Sequence, residues 1–254
     1  MVKLSVVVCL AALTACALAG PVPSGMFGHL FQGDIKLTES QYKILNGISP
    51  KTGWIDTFFR WHKNAQGHTV VPYTFGSNSG FTQSEIDWMN SELRSIEART
   101  CIRFIPRTFQ HDFIEIINGG GCWSWIGRVG GRQELSMERN SCFFAGIMAH
   151  EAIHAIGYDH MHNAIDRDNF VQIFWNNIQP NFHSAFDMVN PQWFNNFGTS
   201  YDLRSVMHYP RWAFSSNGQD TILPHNRAYS NIIGETGVIS DGDVTRLLRM
   251  NECF

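Results

Sequence analysis

An eleven-residue run from His150 to His160 reads His-Glu-Ala-Ile-His-Ala-Ile-Gly-Tyr-Asp-His. Residues four apart lie on one face of an α-helix, so His150 and His154 can present two imidazoles to the same point. Gly157 supplies a position at which the helix can end and the chain can turn. His160 can then return to that point as a third nitrogen. The run therefore predicts a helix, a turn at a glycine and a cluster of three histidines.

Three histidine nitrogens that leave a fourth position open are the ligand set of a catalytic rather than a structural zinc site. We therefore predict one catalytic Zn²⁺ ion on His150, His154 and His160. Glu151 is offset from the ligand face, and we expect it to be the general base. Zinc lowers the pKa of a bound water from about 15.7 to about 7, and a general base adds about 10²–10⁴-fold. The alternative is a helix with core or surface histidines, although five fixed positions rarely match by chance.

The composition is that of a globular chain of 254 residues with a formal net charge of -3. No segment is strongly basic, which argues against a nucleic-acid partner. Lys3, an apolar run at residues 6–13 and a small-x-small pattern at residues 17–19 predict a signal peptide over residues 1–19. We therefore expect a secreted, extracellular protein. We expect no membrane anchor, because the run is too short to span comfortably and no later stretch is hydrophobic enough.

Four cysteines follow the predicted signal peptide: Cys101, Cys122, Cys142 and Cys253. An even number in an oxidising compartment indicates two disulfides. Four cysteines allow three pairings, and the sequence does not choose among them. A zinc–cysteine site is disfavoured because the chain contains no Cys-x-x-Cys pair.

Alternating apolar patterns predict strands in the first half of the chain. They are expected at residues 70–75, 101–105, 113–117 and 133–137. Pro72 lies within the first of these, and because proline cannot donate to a ladder it predicts an edge position.

Helices are indicated by caps and by apolar residues at helical spacing. Thr82 and Glu85 have the spacing of a capping box. A second helix is expected from about Phe143. From about residue 161 the chain is irregular, until a capping segment at residues 240–243 indicates one closing helix.

The histidine run and the segment Ser205-Val206-Met207-His208-Tyr209 resemble the metzincins, and among them the astacin family of metalloendopeptidases. The resemblance covers residues 46–254. It implies an α+β fold, a two-lobed zincin-like catalytic domain. The N-terminal lobe, at about 46–160, would hold a twisted, mostly parallel sheet plus two helices. The irregular C-terminal lobe, at about 161–254, would hold one closing helix.

The resemblance also implies an activity and residue roles. The protein would be a zinc-dependent endopeptidase acting as a monomer on protein or peptide substrates, which would lie extended along an edge strand. Met207 would form a hydrophobic floor beneath the metal. Tyr209 would approach the metal in the resting enzyme and swing away to hydrogen-bond the oxyanion. Family pairing would join Cys101 to Cys253 and Cys122 to Cys142.

Residues 20–45 begin with glycines and prolines, lack a long periodic element and indicate a pro-segment. Within them, Phe31-Gln32-Gly33-Asp34-Ile35 resembles the family's pro-segment switch, in which Asp34 would ligate zinc in place of water. An ordinary Gly-Asp turn is the alternative. Residues 46–48 resemble a mature start, although Leu45 rather than an arginine precedes them. Cleavage after Lys43 is the other option.

Two residues depart from the family pattern. Met161 stands where the family has a Glu that contacts the mature N-terminus, and Ala164 replaces a nearby Arg. The ligands, Glu151 and Tyr209 are all present, so we expect an active enzyme with a looser mature N-terminus. The alternatives are a secreted non-catalytic binding protein that retains the fold, and a zinc amidase acting on small substrates. The absence of an EGF-like or CUB-like tail favours digestion or hatching.

Overall fold

The structure is a computed structural model that describes residues 30–45, 59–190, 195–235 and 237–253. The predicted signal peptide, residues 20–29 of the predicted pro-segment and the expected mature start at residues 46–48 lie outside these ranges. Within the described ranges, no helix is long and apolar enough to cross a membrane.

A six-stranded, mostly parallel sheet dominates the first half of the described chain, with strand order β1-β5-β6-β4-β2-β3. The strands are β1 (Ile35–Lys36), β2 (Thr69–Phe75), β3 (Ile102–Pro106), β4 (Phe113–Ile117), β5 (Cys122–Trp125) and β6 (Arg132–Met137). The pairing is parallel except between β5 and β6. The alternating patterns correctly predicted β2, β3, β4 and β6. They missed β1 and β5, which have two and four residues.

The expectation that Pro72 lies on an edge strand is wrong, because β2 lies between β3 and β4. The N–H of Val70 points away from β3 and donates to the carbonyl of His62. Alternation along the strand places the nitrogen of Pro72 on that same side. Pairing with β4 begins only at Tyr73, so the missing N–H falls before the ladder starts.

Two long helices pack together beside the sheet: α2 (Gln83–Glu97) and α3 (Ile147–Ile156). The predicted capping box is confirmed at the start of α2, where Thr82 and Glu85 satisfy each other's backbone N–H groups. The helix α3 begins at Ile147 rather than near Phe143. It ends at Gly157 with φ 127°, a conformation that favours glycine.

The second half of the described chain is mostly irregular, as predicted. It contains short 3₁₀ helices and an antiparallel pair of strands, β7 (Val171–Ile173) and β8 (Ile222–Pro224). The closing helix α4 (Asp241–Met250) begins after Ser240, which forms a capping box with Asp243. An additional short helix that the sequence did not predict, α1 (Glu39–Leu45), follows β1.

Two disulfides tie distant parts of the chain together. Cys101, before β3, pairs with Cys253, beyond α4, across 152 residues. Cys122 on β5 pairs with Cys142 in the loop before α3, across 20 residues. These are the pairs that the family resemblance implies, and they leave β5 braced close to the start of the histidine-bearing helix.

Candidate metal centre

Three imidazoles converge at the end of α3. His150 and His154 project from one face of that helix, and His160 returns after the turn at Gly157. The Nε2 atom of His154 lies 3.1 Å from Nε2 of His150 and 3.3 Å from Nε2 of His160. The predicted helix and glycine turn therefore bring the three nitrogens to one point.

Each of these imidazoles is held by an oxygen at its other nitrogen, Nδ1. The three pairs are His150 with the carbonyl of Val206 at 2.8 Å, His154 with the carbonyl of Tyr158 at 2.5 Å, and His160 with Oε1 of Gln32 at 2.7 Å. Because these oxygens accept a hydrogen bond from Nδ1–H, the proton of each neutral ring stays on Nδ1 and Nε2 keeps a free lone pair. Such outer contacts fix the tautomer that a metal needs.

A carboxylate from outside the helix completes the cluster. Oδ2 of Asp34 lies 3.1 Å from Nε2 of His160 and 3.4 Å from Nε2 of His150. The ligand atoms of Asp34 and the three histidines all lie within 4.8 Å of one another. Among the described residues, Oδ1 of Asp34 is buried with no hydrogen-bond partner. Three imidazole nitrogens and a carboxylate oxygen at this spacing fit the four ligands that zinc prefers.

The pKa of Asp34 and the pKa values of the histidines depend on one another because their charges are close together. Burial raises the pKa of Asp34, but the charge of His160 and hydrogen bonds from His150 and His160 bring it well below its ordinary value. Burial, followed by the charges of His160 and His150, lowers the pKa of His154 far below its ordinary value. Burial also opposes protonation of His150, yet its contacts with Asp34 give that histidine a raised pKa. A charged carboxylate and a neutral His154 are forms that bind metal.

Glu151 is a buried acid beside this cluster, with 2% of its surface exposed. Within the described ranges its Oε2 atom has no hydrogen-bond partner. Burial, and then the negative charge of Asp34, raise the pKa of Glu151 well above its ordinary value. A carboxyl whose proton affinity is raised in this way is suited to take a proton from water.

Tyr209 lies against the third histidine. Its ring stacks on His162 with centroids 3.7 Å apart and meets His160 edge-on at 4.5 Å. Its hydroxyl donates to the backbone carbonyl of Gln32. Burial first, and then nearby carboxylates, raise the pKa of Tyr209 well above its ordinary value, so the phenol is a neutral donor. Met207 is buried in the core, with 2% of its surface exposed.

The two positions that depart from the family pattern are both apolar and buried. Met161 and Ala164 are each 3% exposed. The sulfur of Met161 accepts the backbone N–H of Asp202 at 3.5 Å. Met161 therefore packs as a core side chain and offers no carboxylate there.

Sequence reasoning missed residues that support the ligands from a distance. The sequence predicts Gln32 only as part of the pro-segment motif, yet it holds both His160 and Tyr209. The sequence predicts Asp243 only as part of a helix cap, yet it also accepts the N–H of Val206 at 2.9 Å. The available signal for Gln32 was its place two residues before Asp34.

A mostly parallel sheet beside a helix with two histidines, and a third histidine after a glycine turn, define a zinc-dependent metallopeptidase. The profile of the family described as Astacin (Peptidase family M12A) matches residues 59–252. The chain therefore belongs to the astacin family. It is a zinc metalloendopeptidase, an enzyme class that acts on protein substrates.

Individual relatives agree with this assignment. High choriolytic enzyme 2 of Oryzias latipes is 40% identical over 202 residues, which cover 79% of this chain and 70% of that protein. Zinc metalloproteinase nas-6 of Caenorhabditis elegans is 37% identical over 72% of this chain and 53% of its own length. The solved structure of High choriolytic enzyme 1, a hatching enzyme zinc-protease from Oryzias latipes, superposes with a TM-score of 0.73. It is 37% identical and is matched over 78% of this chain and 96% of its own.

Proposed function

We propose that this chain is secreted as an inactive precursor and cleaves protein substrates once residues 20–45 are removed. In this proposal residues 1–19 are the signal peptide and residues 46–254 the peptidase domain, which acts as a monomer. The observation that carries the proposal is that one short turn of the pro-segment engages the whole cluster. Asp34 meets the three histidine nitrogens, and Gln32 accepts hydrogen bonds from His160 and Tyr209.

The turn that presents Asp34 has a demanding backbone. Phe31 and Ile35 close it with backbone hydrogen bonds of 2.8 and 3.0 Å. Gln32 and Gly33 both have positive φ, at 51° and 92°. A Cβ atom added at Gly33 would lie 2.5 Å from Cζ of Phe214, so only glycine fits there.

The rest of the described pro-segment anchors this turn. Ile35 is fully buried and Ile44 is 4% exposed, and both pack with Phe59 and Ile126 of the following domain. Burying one such side chain stabilises by roughly 1.5–3 kcal/mol. The buried amide of Gln41 donates to the carbonyl of Ile126 at 2.9 Å. The strand β1 pairs with β5, so the segment covers a sheet edge.

In the mature enzyme His150, His154 and His160 would hold the metal. Zinc there would supply Lewis-acid polarisation of a substrate carbonyl and a lowered pKa for water. Glu151 would take the proton from the attacking water and pass it to the departing amine. Tyr209, released from Gln32, would donate its hydroxyl proton to the oxygen that gains charge in the transition state. The edge of β5 would pair with the extended substrate backbone.

The experiment for this function starts with the purified secreted protein. N-terminal sequencing before and after activation would locate the mature start, at residue 46 or after Lys43, and light scattering would report the oligomeric state. Casein hydrolysis would be measured on zinc-loaded precursor and mature forms, with a Glu151→Ala variant as the control. We call the turn at residues 31–35, which places Asp34 at the histidines, the latch. A precursor as active as the mature form would contradict inhibition by the latch, and activity that survives Glu151→Ala would contradict Glu151 as the general base.

We further propose a hatching rather than a digestive role. This proposal is based on the names of two similar proteins, High choriolytic enzyme 2 and the hatching enzyme zinc-protease High choriolytic enzyme 1. The test compares the rate on isolated chorion protein with the rate on casein. Expression confined to digestive tissue, with no activity on chorion, would favour digestion instead.

A further inference from the structure

Lys36, a residue of the pro-segment, occupies a site made by aromatic rings and a carboxylate. Its Nζ atom lies 3.6 Å from the centroid of the Trp123 ring and 5.7 Å from that of Trp125. It also lies 3.5 Å from Oε2 of Glu134. Two indole faces and a carboxylate around one ammonium group make a composite site for a cation.

The charges around this site favour the binding of a cation. Glu134 and Glu115 lie opposite each other on β6 and β4, and Arg132 pairs with both. Two carboxylates against one guanidinium leave a net charge of about −1 on this group of three side chains once Lys36 is gone. A positively charged side chain that replaced Lys36 would restore the balance.

The site also has a fixed distance from the metal cluster. Lys36 is two residues beyond Asp34, which lies in the turn before β1. Within β1, alternation points Lys36 to the opposite face from Ile35. Ile35 is fully buried, as this alternation requires. Two residues of chain span at most about 7 Å, so the site accepts a side chain two positions from the residue at the metal.

We propose that Trp123, Trp125 and Glu134 form a specificity subsite for a lysine or arginine side chain of the substrate, two residues from the cleaved bond. The proposal rests on the proposed function, because the subsite becomes free only when the pro-segment leaves β5. Lys36 then acts in the precursor as a stand-in for the substrate's basic residue. Contacts of this kind predict a preference of about 2- to 30-fold for a cation over an uncharged side chain of the same length.

The test uses the mature enzyme, made by proteolytic removal of the pro-segment from the secreted precursor and loaded with zinc. Quenched fluorescent peptides carry either lysine or norleucine at the second residue on each side of the cleaved bond. Glu134→Gln is the variant, and Glu115→Gln is its matched control, because both acids pair with Arg132 but only Glu134 contacts Lys36. We expect a 2- to 30-fold higher kcat/KM for lysine at one position, lost in Glu134→Gln and kept in Glu115→Gln.

Equal rates for lysine and norleucine at both positions, or a preference unchanged by Glu134→Gln, would overturn the subsite while the peptidase function stands. Cleavage of no peptide would instead count against the proposed function, and the subsite would then be tested by the binding of a pro-segment peptide.

In this second experiment, a synthetic peptide of residues 30–45 is titrated against the same protein by calorimetry, with Lys36→Met for comparison. We expect 2- to 30-fold weaker binding of the substituted peptide, and equal affinities would reject the subsite.

Discussion

The carboxylate of Asp243 accepts a hydrogen bond from the backbone N–H of Val206 at 2.9 Å. The carbonyl of Val206 in turn accepts one from Nδ1 of His150 at 2.8 Å. The same carboxylate accepts the N–H of Ser240 at 3.0 Å, so it caps α4 as well. The residue that completes the capping box of the closing helix therefore also positions a histidine of the metal cluster.

We expect Asp243→Asn to weaken the site, because the carboxylate uses both of its oxygens as acceptors and an amide has only one. One oxygen accepts the two backbone N–H groups, and the other accepts the Ser205 hydroxyl and pairs with Arg246. Loss of such outer support lowers metal affinity by about 10- to 100-fold, and unpaired buried donors cost about 1–3 kcal/mol of stability. Zinc affinity is measured by chelator competition, and stability by thermal unfolding. Asp241→Asn is the control, since its exposed side chain pairs with Arg99. Unchanged zinc affinity in Asp243→Asn would contradict this role.

The latch can be tested through its glycine. Gly33→Ala forces an L-residue into a left-handed conformation, at about 1–2 kcal/mol, and pushes a methyl group into Phe214. Uncleaved Gly33→Ala precursor should therefore hydrolyse a short peptide at least about fivefold faster than the wild-type precursor. Asp34→Ala should show the same direction of change. The control Glu39→Gln alters an exposed ion pair with Lys43 and should leave the precursor inactive. Precursors of all variants with equal, minimal activity would rule out the latch.

Local sequence signals predicted the parts of the site that depend on local geometry. The spacing of His150, His154 and Gly157 fixes a helix face and its end whatever surrounds them. The capping pairs at α2 and α4 were likewise readable, because a cap is satisfied within four residues. The resemblance to the astacins likewise rests on short motifs, whose residues are close together in the sequence.

The parts that could not be predicted depend on contacts between distant residues. Gln32 reaches His160 across 128 positions, and no pattern around either residue signals that hydrogen bond. The prediction of an edge position from Pro72 was wrong because two situations look alike in sequence. A proline is tolerated on an edge strand, and it is also tolerated on an interior strand before the ladder with the neighbouring strand begins. The short strand β1 forms only because β5 offers an edge.

The two disulfides should differ in their effect on stability. In the chain-entropy view, closing a loop of 152 residues stabilises by about 5 kcal/mol, and one of 20 residues by about 3 kcal/mol. We therefore expect the double serine variant of Cys101 and Cys253 to lose more stability than that of Cys122 and Cys142. Denaturant unfolding of both variants, each compared with the wild type, measures the difference. A larger loss for the shorter loop would show that local packing at β5 outweighs chain entropy.

Tyr209→Phe provides a test of transition-state stabilisation with a matched control in the same segment. Removing one donor to a developing oxyanion costs about 10²–10³ in kcat, whereas ground-state binding, and so KM, should change little. Tyr201→Phe removes a different buried hydroxyl, one that bonds Nε2 of His208 at 2.7 Å rather than facing the cluster. Mature enzymes are compared on one peptide substrate, with zinc content measured to show that the metal is kept. Equal kcat values in the two variants would mean that the Tyr209 hydroxyl serves only to hold the pro-segment through Gln32.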